Sequence, residues 1–235
     1  MIRVGDYSVD PQATSDMYLY DPIVEFRQIY YKEDHLKHLY PFAKPYFNDK
    51  LTIFFENDPI RDIVTNTAAE KVAVCSWKLS QKIRKIHQVT EQALLSDFDV
   101  LCFTRNSQRH QMIAMAAAWH KGFLPAINLL WLKLGYKRPG EARNPIYQNH
   151  FAAKSTIYKE YVNSFLTPAM ELIERDEQLH ERMVEPSGYG KLSRTADMKS
   201  VKSKLGMDDY PLCPFVLERC PSLWFQMKGI KVSYL

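Results

Sequence analysis

The sequence predicts an α/β protein with a mostly parallel central sheet flanked by helices. Three observations lead there. Short runs of β-branched and apolar residues alternate with helical stretches through the first two-thirds of the chain. The clearest of these runs, "EKVAVCSW", is continuously apolar between charges, as a strand buried on both faces is. The chain has 235 residues, 46% of them hydrophobic and 25% charged, enough for one sizeable core, and no internal repeat divides it. A single domain over residues 1–235 is expected.

In chain order, "MIRVGDYSVD" reads as a short strand, "PQATSDMYLYDP" as a loop and "IVEFRQIYY" as a strand by its alternation. "KEDHLKHLYPFAKPYFN" is expected to be a short helix broken by Pro41 and Pro45. "KLTIFFEN" reads as a buried strand. "DPIRDIVTNT" reads as a helix with Asp58 as N-cap and Pro59 at its first position. After the strand "EKVAVCSW", Leu79, Ile83, Ile86, Val89 and Leu94 recur near helical spacing. "DFDVLCFTRN" reads as a further strand. The stretch "SQRHQMIAMAAAWHKGFLPAINLLWLKLG" is expected to form two helices, interrupted at Gly122 and Pro125. "IYQNHFAAK" reads as a strand, followed by a long helical stretch capped by Ser155 and kinked or split at Pro168. Residues 185–207, rich in Gly, Ser and Lys, are expected to be a mobile, exposed insert. A helix and the short strand "IKVSYL" close the chain.

Composition narrows the function classes. Thirty-one basic residues against 27 acidic give a net charge of +4. That is too weak a balance for nucleic acid, and it suits an anionic small ligand or a membrane surface. Aromatic residues make up 13% of the chain, which fits a binding cleft and fits a plain core equally. The four cysteines form no C-x-x-C, and Cys75 and Cys102 sit in apolar runs as buried thiols. A reducing, cytoplasmic setting is therefore expected. The first residues carry no apolar signal-peptide core, and no run of about 18 apolar residues marks a membrane span.

Five constellations carry candidate chemistry. Asp97 and Asp99, in "DFD", can project together from a strand edge onto Mg²⁺ or Mn²⁺; their plainer reading is a turn residue and a lone acid. Trp119 and His120 pair a stacking surface with a hydrogen-bonding imidazole, or form a helix end over the core. Asn149 and His150 are polar residues inside an apolar run and need partners, from a loop or from a ligand. Trp77, Lys78 and Lys82 follow the strand "EKVAVCS", where the ligand crevice of an open α/β sheet lies; surface lysines are the plainer reading. Glu218 and Arg219 stand side by side in an aromatic terminal segment, where a charge needs a partner. A structural ion pair or ordinary surface charge is the plainer reading; neighbours on a helix point about 100° apart, which favours separate roles for the two.

From Ser96 onward the order of these pieces resembles a family. Asp99-Val100, then Asn149 and Phe151, then Tyr158, Tyr161, Leu166, Pro168 and Glu171, then Glu218, Arg219 and Trp224 follow the pattern of small bacterial glycosyltransferases of capsular and surface-polysaccharide clusters, a domain-of-unknown-function type. The resemblance implies a nucleotide-diphospho-sugar transferase fold of the GT-A type. It implies a nucleotide-sugar donor, a glycan or lipid-linked acceptor, and peripheral work at the inner face of the membrane. On that resemblance Glu218 is a base or hydroxyl anchor, with Arg219 pairing with it or with phosphate. Joined to the constellations above, the candidate site has Glu218 and His150 as catalytic residues, Asn149, Trp119, His120, Arg219, Trp77 and Lys78 as substrate contacts, and Asp97 and Asp99 as metal ligands. A non-catalytic glycan-binding protein on the same fold is the alternative.

Overall fold

The computed structural model describes residues 23–82, 93–104, 111–146, 148–192 and 197–235. The proposed strand at 1–10, the loop after it, and the helical positions Ile83, Ile86 and Val89 lie outside the described residues.

Six strands among the described residues form one mixed sheet: β1 (Val24–Tyr30), β2 (Lys44–Phe47), β3 (Lys71–Ser76), β4 (Val100–Cys102), β5 (Phe151–Lys154) and β6 (Val232–Tyr234). Their order across the sheet is β2-β1-β3-β5-β4-β6. β1 pairs in parallel with β2 and β3, and β4 with β6, while β5 runs antiparallel between β3 and β4. The fold class is therefore α/β with a mostly parallel sheet.

The pleat sorts the side chains into two cores. Val72 and Val74 of β3, Val100 and Cys102 of β4, and Phe151 and Ala153 of β5 face the larger one. Ala73, Cys75, Leu101 and Ala152 face the smaller one, which also holds Leu79 and Leu94 from the two described ends of the amphipathic stretch. All six positions of β3 are buried, which is why its run lacks alternation.

The larger core is closed by helices. α1 (Asn57–Asn66) contributes Ile60, Ile63 and Val64. After β4 come α3 (Met112–Trp119) and α4 (Phe123–Lys133), with the short α2 (Leu79–Lys82) preceding β4. Gly122, with φ of +86°, makes the turn between α3 and α4 in a backbone conformation that suits glycine. β5 leads directly into α5 (Ser155–Tyr161), a π-helical turn (Val162–Leu166), α6 (Thr167–Arg175) and α7 (Glu177–Val184). Pro168 sits in the first turn of α6, where its missing N–H is tolerated, and the π turn takes up the mismatch ahead of it. α10 (Cys213–Leu217) and α11 (Cys220–Met227) complete the core with Trp224 and Phe225.

Several expectations are corrected. Residues 51–56 form turns rather than a buried strand, because the chain must reverse there to launch α1. Glu56, not Asp58, is the N-cap of α1; Asp58 lies in the first turn and takes the Thr52 hydroxyl and Arg61 as partners. Ser155 is the first helical residue, with Lys154 at the cap. Among the described residues of the run "IYQNHFAAK", only Phe151–Lys154 is strand, since Gln148 and Asn149 turn the chain with φ of +61° and +54°. Separately from these corrections, the expected insert at 185–207 carries α8 (Tyr189–Leu192) and α9 (Met198–Leu205), and Val201, 1% exposed, packs into a small third core with Phe55, Tyr210 and Phe215. Most of its other described side chains are exposed or half-buried.

Candidate functional site

A cleft of about 590 Å³ opens at the carboxyl ends of β1 and β3. Strand ends supply its floor. β1 ends into Tyr31, β3 into Ser76, Trp77 and Lys78, and β5 begins beyond Gln148 and Asn149 at the same edge. One wall is the segment Phe55–Glu56 and the 3-10 helix Glu33–His38, and another is α3 with Trp119 and His120. α10 with Phe215, Glu218 and Arg219 faces them, and α9 covers the remaining side. Open α/β sheets place ligands outside the carboxyl ends of their strands for this reason: the strand ends diverge there and the loops that follow them converge.

Buried polar groups hold the floor. Gln28, fully buried on β1, accepts from the Tyr40 amide at 2.6 Å and donates to the Ser76 carbonyl at 3.4 Å. His35 stacks on Trp77 with ring centroids 3.8 Å apart, and its Nδ1 accepts from the Tyr31 amide. Burial, with help from Lys32, lowers His35 to about 4, so the ring is neutral near pH 7. The Lys78 ammonium stands 5.7 Å from the Trp77 ring centre.

His120 stacks on Phe215 at 3.9 Å and is 4% exposed. Burial, reinforced by Arg219, holds it at about 4. Arg219 Nη1 donates to Glu218 Oε2 at 2.7 Å and to the Phe215 carbonyl at 3.1 Å. The expectation that these neighbours serve separate roles is corrected: they pair. Glu218 ends α10 and Arg219 precedes α11, so they lie at the junction of two helices, and the Arg219 side chain folds back over the last turn.

Opposite this pair, Glu56 lines the cleft, half-buried. Burial raises its carboxyl above the ordinary range, the Glu218 charge adds to the rise, and Lys78 opposes it. The Tyr31 hydroxyl is buried against Glu56, and burial followed by the Glu56 charge raises that phenol well above its usual value.

The structure thus brings Trp77, Lys78, Trp119, His120, Asn149, Glu218 and Arg219 to one cleft. It does not bring the other three. His150 is fully buried and outside the lining, its carbonyl accepting from the Phe103 amide. It stands one residue before β5, and as a catalytic candidate it is not among the residues of the cleft wall.

Asp97 and Asp99 flank the amino end of β4, the opposite edge of the sheet. Asp99 accepts the Lys154 amide there, and Lys154 is five positions along the chain from Asn149, about 15 Å at the rise of a strand. The Lys154 ammonium lies 3.2 Å from Asp97 and 3.0 Å from Asp99, occupying the place a divalent ion would take, and Asp97 is 92% exposed. The pair does not fit a cleft metal. Among the described residues, no group of three or more His, Cys, Asp or Glu side chains is placed to hold a metal ion. The Lys82 side chain lies outside the described residues.

Glu56, Tyr31 and His35 are cleft residues that the sequence reading passed over. A signal existed for each. Glu56 is an acid closing an apolar run two residues before the Asp-Pro of a helix start; Tyr31 ends the strand run "IVEFRQIYY" and His35 lies in "KEDHLKH" just after it, where the crevice rule points.

The described residues contain three non-glycine positions in the left-handed region: Phe55 at +51°, Gln148 at +61° and Asn149 at +54°. All three line this cleft. Such backbone is uncommon outside glycine, costs on the order of 1–3 kcal/mol at each position, and gathers at functional sites. No family model, curated protein or solved structure matches the chain. No helix among the described residues is long and apolar enough to cross a membrane.

Proposed function

We propose that the protein is a glycosyltransferase whose cleft takes a nucleotide-sugar donor and passes the sugar to a hydroxyl of a glycan or lipid-linked acceptor. The observation that carries this reading is the concentration of strained backbone, carboxylates and stacking rings in one cleft at the carboxyl edge of a mostly parallel sheet. Trp77 and His35 offer an aromatic floor, and Lys78 and Arg219 offer positive charge for a diphosphate. Trp119, 57% exposed at the rim, offers a stacking face for an acceptor sugar. The resemblance from Ser96 onward points the same way and adds the GT-A type of fold, cytoplasmic work and a role in bacterial surface polysaccharide.

The test is thermal denaturation with UDP, GDP and CDP, with and without Mn²⁺, followed by donor turnover. A ligand at a hundred times its Kd stabilises by about 2.7 kcal/mol, a readily measured shift. Absence of any shift with every nucleoside diphosphate sinks the reading. A shift with oligosaccharides alone favours the second reading, a glycan-binding protein, for which the exposed Trp119 is the supporting observation.

A further inference from the structure

Two carboxylates enter the cleft, and their surroundings differ. Glu218 is held by the Arg219 guanidinium at 2.7 Å, with both side chains largely buried. That charge-assisted bond engages one of its oxygens. Among the described residues no arginine forms such a pair with Glu56. The groups acting on it are the Tyr31 hydroxyl, the Glu218 charge and the Lys78 ammonium. They pull in opposite directions: burial and the Glu218 charge favour the protonated carboxyl, while Lys78 and the Tyr31 hydroxyl favour the carboxylate, so no single partner holds Glu56 in one state.

The backbone holds Glu56 in place. The preceding residue, Phe55, has φ of +51°, an outlier for a bulky side chain. Its ring stacks on Tyr210 at 5.3 Å and belongs to the third core, which offsets the strain. The next residue, Asn57, opens α1 and donates from its side chain to the Phe54 carbonyl at 2.9 Å. The carboxylate is thus carried between two anchored residues.

We propose that Glu56, half-buried in the cleft wall and held between Phe55 and Asn57, is the proton acceptor in sugar transfer. The inference rests on the nucleotide-sugar reading above. In the step, the acceptor hydroxyl oxygen forms a bond to the anomeric carbon of the donor. The bond from that carbon to the diphosphate oxygen breaks, and its electron pair leaves with the nucleoside diphosphate. The hydroxyl proton passes to a Glu56 carboxylate oxygen. A base does this best when its proton affinity lies near the working pH, and burial beside a second carboxylate moves Glu56 in that direction.

The experiment compares wild type, Glu56→Gln and Glu56→Ala with UDP-glucose, UDP-N-acetylglucosamine and GDP-mannose, reading donor binding by calorimetry and nucleoside diphosphate release against pH. Glu56→Gln is expected to bind donor as wild type does and to lose about 10²- to 10⁴-fold in turnover. The acidic limb of the wild-type pH profile disappears with it, and added formate or azide restores turnover to Glu56→Ala. Donor binding with undiminished Glu56→Gln turnover overturns the role of Glu56 and leaves the nucleotide-sugar reading standing. Failure of wild type to bind any donor overturns both. Should the Glu56 variants not fold, Glu218→Gln reads the same group: removing the neighbouring charge lowers the proton affinity of Glu56, so the acidic limb moves to lower pH. A limb that stays in place overturns the proposal.

Discussion

Arg219 reaches back to Glu218, its neighbour in the chain, and the two form a 2.7 Å ion pair at the junction of α10 and α11, with side-chain exposures of 14% and 18%. Sequential neighbours seldom pair on a regular helix. Here the helix breaks between them, and Pro221 at the start of α11 helps fix the break. Replacing Arg219 with methionine leaves Glu218 largely buried without its cation. We expect a loss of about 3 kcal/mol, read as a lower midpoint in urea with little change in slope. Glu218→Gln, which still offers Arg219 an oxygen, is expected to lose much less. Equal losses for the two variants contradict this account.

Asp97→Asn and Asp99→Asn, singly or together, are expected to leave ligand binding and turnover as in wild type. Both carboxylates sit at the sheet edge opposite the cleft, shared by Lys154. Isothermal titration with Mn²⁺ in the presence of a nucleoside diphosphate checks this. A Mn²⁺ affinity that falls in the variants returns the pair to the site.

Stability is expected to fall as pH drops below about 6.5. His35 and His120 are both held at about 4 in the folded protein, chiefly by burial, against 6.5 for an unperturbed imidazole. The unfolded chain therefore binds protons that the folded one refuses. Their contribution is complete above pH 6.5 and is lost progressively between 6.5 and about 4. Urea midpoints measured through that window should decline, with a shallower decline in His120→Gln. A flat profile from neutral pH to about 4 would show that the rings are not held neutral.

Trp119→Ala should leave the melting temperature nearly unchanged, since more than half of the side chain faces solvent. Under the proposed function, loss of a stacking face worth about 1 kcal/mol raises the acceptor KM roughly fivefold and spares donor binding. A change in donor affinity with no change in acceptor KM moves Trp119 out of the acceptor subsite.

The legible and illegible parts of the fold divide by range. "EKVAVCS" declares a strand because four consecutive apolar residues, Val72 to Cys75, β-branched or small, can be satisfied only by burial on two faces. The Gly122 break between α3 and α4 is legible because a local backbone requirement sits on one residue. "KLTIFFEN" misleads for the converse reason. Its apolar residues are buried in turns, by neighbours distant in the chain, and no local pattern separates that from a strand. The candidate site divides in the same way. Trp77, Lys78 and Asn149 could be found because they follow or precede strands at the edge where crevices form. His150 could not be sorted from Asn149, since the left-handed turn at Gln148 and Asn149, which separates the two side chains, is announced by no glycine in the run.

By itself the sequence determined the alternation of strands and helices, the central place of β3, the weak basic charge and a set of polar residues in apolar surroundings. Those follow from local composition and period, which each segment carries with it. Only the tertiary structure decided that β5 runs antiparallel between β3 and β4. That reversal sets Asn149 at the cleft and Asp99 beside Lys154 on the far edge. Only packing decided that Glu56 meets Glu218 and Tyr31, because the burial and the repulsion between the two carboxylates arise between segments distant in the chain and exist in none of them alone.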